Sequence, residues 1–305
     1  MQIFESYKNI PETEQGSVVV IGNFDGVHLG HQALLRAAQE IAKPDGLKVS
    51  VLTFEPHPRW LFRPDDPPFR LTPKSLKADR LEEAGVDALF SVGFDWDFAS
   101  QSADQFIQDV LLNGLAPAHV VVGYDFRFGQ MRKGGPGDIE AAGLKLTVVA
   151  EVADEDKSEI SSSEARKALR YGKIDQANAI LGWEWEIRGE VVKGDQRGRE
   201  LGYPTANFAL GDVVHPAYGI YACRVQIEGE EEWRNAAVNI GIRPMFEIPQ
   251  AQVESFILDY EGDLYGKILR VKPVQFLRGE AKFNSVDELV AQMEKDCMQA
   301  REILS

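Results

Sequence analysis

The pattern of apolar residues changes character near residue 182, and that change confines the chain to two joined architectures. Before it, short β-branched runs alternate with helical repeats. VVVIG at 18–22 reads as a buried strand entering a Gly-rich turn. HQALLRAAQEIAKPDG reads as a helix with Leu34, Leu35, Ala38 and Ile41 on one side, ended by Pro44 and Gly46. KVSVLTF, ALFSV, HVVVG and LKLTVVAEV repeat the strand pattern, with helices between them at KSLKADRLEEAG and SADQFIQDVLLNGLAP. SSSEARKALRYGKIDQANAILG reads as two short helices, the first capped by Ser162 or Ser163. Such alternation specifies an α/β domain with a parallel, Rossmann-like sheet, whose ligands sit at the C-terminal strand ends. After Gly182 the runs WEIRGEVVKGD, GIYACRVQIEG, RNAAVNIG, QVESFILD and GKILRVKPVQFL are short strands separated by turn residues. They specify an antiparallel β-barrel. A final amphipathic helix carries Val286, Leu289, Val290, Met293 and Cys297 on its apolar side, with Ser285 as N-cap and Glu288 completing a capping box. The expected domains are 1–182 and 183–305.

Composition narrows the function. The 305 residues carry a formal net charge of -15, which opposes long-range attraction to nucleic acid or anionic membrane. Cys223 and Cys297 lack metal-ligand spacing and are expected to be reduced thiols. The N-terminal segment has no basic region followed by an apolar stretch, and no apolar run is long enough to span a bilayer, so a cytoplasmic location is expected.

Two segments carry chemistry. GNFDGVHLGH at 22–31 joins the first strand to the first helix. Gly26 and Gly30 permit close backbone approach, the helix start attracts anions, and His28 and His31 share one side of that start. Two imidazoles there suit stabilisation of a phosphorus centre under attack. The spacing equally fits histidines that only pack a loop, or a zinc site completed by His57 or Asp125. The second segment, RGRELGYPTANF, places Arg197 and Arg199, then Thr205 and Asn207, at alternate positions. The Thr205 hydroxyl and Asn207 amide oxygen are hard ligands suited to Mg²⁺ carrying phosphates, although Pro, Gly and Asn also make an ordinary turn.

These segments, with TFEPHPR at 53–59, FRLTP at 69–73, VVGYDFRFG at 121–129, ISSSEAR at 160–166 and the later YGIYA, AAVNIGIRP, VESFILD and LYG, resemble the bacterial bifunctional riboflavin kinase/FAD synthetase family in order and over almost the whole chain. The resemblance implies a nucleotidyltransferase-type first domain that moves AMP from ATP to FMN, and a riboflavin kinase barrel. It implies catalytic roles for His28, His31 and Arg166, with Gly22, Asn23, Phe24, Asp25, Gly30, Ser161 and Ser162 around ATP and Arg59, Asp125, Phe126 and Phe128 around flavin. In the second domain it implies Glu254 as general base on the riboflavin 5′-hydroxyl, Arg197, Gly202, Pro204, Thr205 and Asn207 at ATP, Arg243 at flavin, and Mg²⁺ on Thr205 and Asn207. The implied small molecules are ATP, riboflavin, FMN and FAD, handled by a monomer or weak homo-oligomer. The chain departs from the family pattern at Ser163, Ala165 and Met245. Three other readings are a pantetheine-phosphate type of adenylyltransferase, a member with one inactive domain, and a non-catalytic flavin sensor.

Overall fold

The computed structural model describes residues 1–152, 160–193, 201–243 and 250–305. They form two compact units, Met1–Asp66 with Thr72–Ser161, and Pro67–Leu71 with Ser162–Ser305.

The first unit is a parallel sheet of β1 (Gln2–Phe4), β2 (Val18–Ile21), β3 (Val49–Glu55), β4 (Ala88–Gly93), β5 (His119–Gly123) and β6 (Leu146–Val149), in the order β1-β4-β3-β2-β5-β6. Its helices are α1 (Leu29–Ala42), α2 (Pro58–Phe62), α3 (Lys74–Glu83), α4 (Trp96–Ala99), α5 (Ala103–Gln105) and α6 (Pro136–Ala141). Every residue of β2 is buried because both sheet faces are covered. Val18 and Val20 pack against Leu34, Leu35 and Ala38 of α1. Val19 and Ile21 share the opposite cluster with Val110 and Leu111. These last two lie on a ten-residue π-helix, Phe106–Leu115, that continues α5 where the sequence periodicity reads a regular helix. The wider π turn puts Phe106, Val110, Leu111 and Leu115 on one buried face. From β2 the chain proceeds through β3 and β4 on one side, then through β5 and β6 on the other. The ends of β2 and β5 therefore flank the switch-point crevice.

The second unit holds α7 (Ser162–Arg170), α8 (Ile174–Leu181), β7 (Ile187–Glu190), β8 (Ala206–Ala209), β9 (Gly219–Ile227), β10 (Trp233–Arg243), β11 (Gln250–Ile257), β12 (Ile268–Gly279) and α9 (Val286–Leu304). Its strands are antiparallel in the order β7-β12-β9-β10-β11-β8. Just beyond β7 the Val192 amide donates to the Asn207 carbonyl of β8 at 2.8 Å, bringing the two edges together as a barrel. Tyr221, Cys223, Val225, Val238, Ile240 and Val253 fill the interior.

The packing division falls at Ser161/Ser162, earlier than the expected boundary at 182/183. Leu169, Ile174, Ala177 and Leu181 of the paired helices join the same apolar cluster as Trp185 and Val271, so hydrophobic burial ties α7 and α8 to the barrel. The segment Pro67–Leu71 belongs there too: the Trp185 indole donates to the Leu71 carbonyl at 3.0 Å and Val214 N to the Arg70 carbonyl at 2.8 Å. On α9 the expected stripe shifts. Asp296, Ala300 and Leu304 are buried, while Val286 is 58% exposed. Asp296 is drawn in by Arg278, whose Nε donates to its Oδ1 at 2.9 Å and Nη2 to its Oδ2 at 2.6 Å. Ser285 caps α9 by accepting from Glu288 N at 3.1 Å. The Glu288 carboxylate accepts from Asn284 N, one residue earlier than the capping box predicts.

Candidate active sites

The first site is the turn from β2 into α1. His28 is the N-cap of α1, with its Nδ1 accepting from His31 N at 3.4 Å. The two imidazoles stack with centroids 3.7 Å apart, and Phe24 lies 4.8 Å from His31. His28 is largely buried, at 9% exposure. A Cβ at Gly30 would sit 3.0 Å from the His28 ring, so glycine there lets the ring lie along the helix start. A Cβ at Gly22 would likewise sit 3.2 Å from the Phe24 ring. Phe24 (φ 52) and Val27 (φ 39) occupy the left-handed region, a cost of about 1–3 kcal/mol each. Buried anchors hold them there: the Phe24 and Val27 side chains pack against α1, and Asp25 Oδ1 accepts from Thr72 N at 3.0 Å. Thr72 Oγ1 accepts in turn from Gly26 N at 2.9 Å. The Asn23 carbonyl accepts from Thr53 Oγ1 at 3.0 Å and from Lys77 Nζ at 3.1 Å.

Other expected residues of this site are placed as follows. His57 caps α2 by accepting from Arg59 N at 3.1 Å. Arg59 pairs with Asp66, its Nη2 2.6 Å from Oδ2. Asp125, Phe126 and Phe128 follow β5 at the switch point. Phe128 is a core residue, and Phe126 stacks on it at 5.5 Å. Ser161 precedes α7, and Ser162 opens it. Arg166 is buried in the second unit, where its Nε donates to the Phe69 carbonyl at 2.7 Å. Ala165 is fully buried, whereas Ser163 is exposed. Among the described residues no group of three or more His, Cys, Asp or Glu is arranged to hold a metal ion, so the zinc reading gains no support.

The second site is built by strand register. Asn207 of β8 pairs with Glu254 of β11, and Glu254 pairs with Asn239 of β10. Their neighbours Phe208, Val253, Val238 and Ile240 point into the barrel core, so period-two alternation puts Asn207, Glu254 and Asn239 together on the outer face. Asn207 Nδ2 donates to the Thr205 carbonyl at 3.0 Å, which fixes the amide. Thr205 Oγ1 then lies 3.4 Å from Asn207 Oδ1. Gly202 takes φ 82, Pro204 is exposed, and Tyr203 packs 5.1 Å from Phe256. Arg197, Arg199, Met245 and the side chain of Arg243 lie outside the described residues.

Comparison with known proteins covers both sites. A family model described as FAD synthetase matches residues 10–164, and one described as riboflavin kinase matches residues 181–304. The Escherichia coli K12 bifunctional riboflavin kinase/FMN adenylyltransferase is 40% identical over 99% of this chain and 97% of its own. The Bacillus subtilis protein of the same name is 38% identical over 95% of this chain and 93% of its own. The chain belongs to the bifunctional riboflavin kinase/FMN adenylyltransferase family. A solved structure from Streptococcus pneumoniae, described as a macrolide-efflux protein, shares the fold at 33% identity with a TM-score of 0.87, covering 98% of both chains. Among the described residues of the present chain no helix is long and apolar enough to cross a membrane.

Sequence reasoning missed the groups that hold the family's signature turn in place. Thr72 lies inside FRLTP, but only the fold shows that it binds Asp25 and Gly26. Lys77 reads as a polar residue of an amphipathic helix. In the structure it is buried, with Nζ 2.7 Å from Glu55 Oε1 as well as bonded to the Asn23 carbonyl. Asn239 falls in the quoted AAVNIGIRP run, yet its place beside Glu254 depends on the β10–β11 register.

Proposed function

We propose that the two sites act in succession, riboflavin first becoming FMN on the barrel and FMN then becoming FAD on the parallel sheet. Both family models match, and neither a sensor nor a one-domain reading draws support from them. The functional boundary is placed at 182/183, consistent with the riboflavin kinase match starting at 181.

On the barrel, the observation that carries the reading is the Asn207–Glu254 cross-strand pair. Glu254 accepts the proton of the riboflavin 5′-hydroxyl as that oxygen attacks the γ-phosphorus of ATP, and ADP leaves. Thr205 and Asn207 would hold a Mg²⁺ ion by the chemistry of their donors: both present neutral hard oxygens, the hydroxyl and the amide oxygen, lying 3.4 Å apart at the start of β8. When bound, the ion neutralises charge on the ATP phosphates. Arg197, Gly202 and Pro204 are assigned to the nucleotide and Arg243 to the flavin.

On the parallel sheet, a phosphate oxygen of FMN attacks the α-phosphorus of ATP, forming the new P–O bond as the bond to the β-phosphate breaks and pyrophosphate leaves. His28 and His31, stacked over the α1 start, stabilise charge on the α-phosphoryl oxygens. Gly22, Asn23, Phe24, Asp25 and Gly30 shape that turn, and Ser161, Ser162 and Arg166 are assigned to the nucleotide. Arg59, Asp125, Phe126 and Phe128 are assigned to FMN. We place the protein in the cytoplasm as a monomer or weak homo-oligomer without nucleic-acid or membrane partners, in keeping with its net charge of -15.

Chromatography of products from riboflavin, ATP and Mg²⁺ over time tests the scheme. FMN should appear first and FAD follow. His31→Ala should stop at FMN, and Glu254→Gln should make FAD only from supplied FMN. No flavin product from either substrate would overturn it.

A further inference from the structure

The outer face of the barrel beside Glu254 carries hydrogen-bond acceptors that lack donors. Asn239 and Gln252 lie on this face, opposite Glu254 and Gly241 respectively in the β10–β11 register. Asn239 Oδ1 and Gln252 Oε1 are both buried and have no hydrogen-bond partner among the described residues. Gly241 lies on the same face, two residues along β10 from Asn239. A Cβ there would meet Glu280 Oε1 at 2.1 Å, with Asn239 Oδ1 at 3.7 Å, so the missing side chain admits the Glu280 carboxylate to this face. An amide oxygen and a carboxylate thus meet over Gly241, whose cross-strand partner is Gln252, next to the proposed base.

A buried acceptor without a donor is costly to the folded chain, so such a patch fits a ligand rich in donors. ATP phosphates are acceptors and carry negative charge, and they do not match it. A chain of hydroxyl groups does. We propose that Asn239 Oδ1 and Gln252 Oε1 accept hydrogen bonds from the ribityl hydroxyls of riboflavin, seating the chain over Gly241 so that its 5′ end reaches Glu254. This rests on the kinase reading of the barrel and adds substrate-binding residues to it. Placing the polyol here also separates flavin from nucleotide on one face: the ribityl chain lies toward β10, and Mg-ATP toward Thr205 and Asn207 at β8.

The test uses the full chain. Wild-type conversion of riboflavin to FMN first checks the kinase reading itself. Asn239→Ala should then raise KM for riboflavin about tenfold, leaving KM for ATP and the half-saturating Mg²⁺ concentration within twofold. Asn239→Ser, which keeps an oxygen acceptor, should recover part of the loss, and Gln252→Leu should act in the same direction as Asn239→Ala. Fluorescence titration adds a reading independent of turnover. Asn239→Ala should weaken riboflavin binding but not binding of lumiflavin, which lacks the ribityl chain. Thermal unfolding of the ligand-free Asn239→Ala and Gln252→Leu variants should show no loss of stability, since each removes an unpaired buried acceptor. An unchanged riboflavin KM in both variants would overturn the proposal. So would equal weakening of lumiflavin, or a shift confined to Mg²⁺ dependence, which would make the patch a cation site.

Discussion

Lys77→Met should destabilise the first unit by about 3–5 kcal/mol. The Lys77 side chain is 2% exposed and that of Glu55 9%, with Nζ 2.7 Å from Oε1. Removing the cation takes the ammonium 2.7 Å away from a largely buried carboxylate, and the loss of that close opposite charge supplies most of the cost. The double variant Lys77→Met/Glu55→Leu removes both charges and should recover most of the loss, because apolar replacements of a buried pair are often close to neutral. Activity should follow a different course. The Asn23 carbonyl loses the Lys77 ammonium in both variants and, among the described residues, keeps the Thr53 Oγ1 donor at 3.0 Å. Adenylylation of supplied FMN should therefore remain about tenfold low in the double variant, the cost of one charge-assisted hydrogen bond at the turn bearing His28 and His31. Urea unfolding measures the first effect, and chromatography of FAD the second. A double variant no more stable than the single one would refute the account of the pair. A double variant with full FAD synthesis would refute the link from Lys77 to the turn.

Gly30→Ala should slow FAD formation while FMN formation continues, since the new Cβ would sit 3.0 Å from the His28 ring and displace it; separate initial rates with FMN and with riboflavin check this. Burial alone would raise the Glu186 carboxyl, but hydrogen bonds and charge from Arg270 and Arg188 outweigh it and hold it below the ordinary glutamate value. Its stabilisation is then present above the unfolded value of about 4.3 and lost as pH falls through the lower folded value. The stability gap between wild type and Glu186→Gln should thus be full at pH 7 and close in acid, as followed by urea midpoints; a gap independent of pH would count against the pairing. His215 is lowered by burial and by the nearby charge of Arg170. Its contribution is present above about 6.5 and fades as pH drops below that, so His215→Gln should flatten the stability profile between pH 7 and 5. Burial pushes the Cys297 thiol up to about 11 and the enclosed Cys223 thiol well above its usual range. Native protein at pH 8 should react slowly with iodoacetamide and unfolded protein quickly at both positions, as counted by intact mass.

Much of this protein is legible along the chain because its informative signals are local. VVVIG is apolar throughout, and only a strand covered on both faces suits such a run, so β2 and its Gly-rich exit follow from a few adjacent residues. The spacing of His28 and His31 sets them on one side of the α1 start for the same reason. Alternation separates core from surface in the barrel strands, and turn residues divide one strand from the next. What the chain alone left open depends on long-range pairing. Helices α7 and α8 carry an apolar face, but periodicity does not say which core it joins; contact with Trp185 and Val271 does. Asp296 reads as a solvent-facing acid on α9 until the Arg278 of β12 is brought to it. Thr72 and Lys77 lie far along the chain from the turn they hold, and Asn207, Glu254 and Asn239 come from three separate strands. A one-residue slip in either strand pair would send a member of that row to the opposite face. The sequence specifies which groups are available and the local geometry of each, whereas register and burial decide which of them meet and which must find a partner in the ligand.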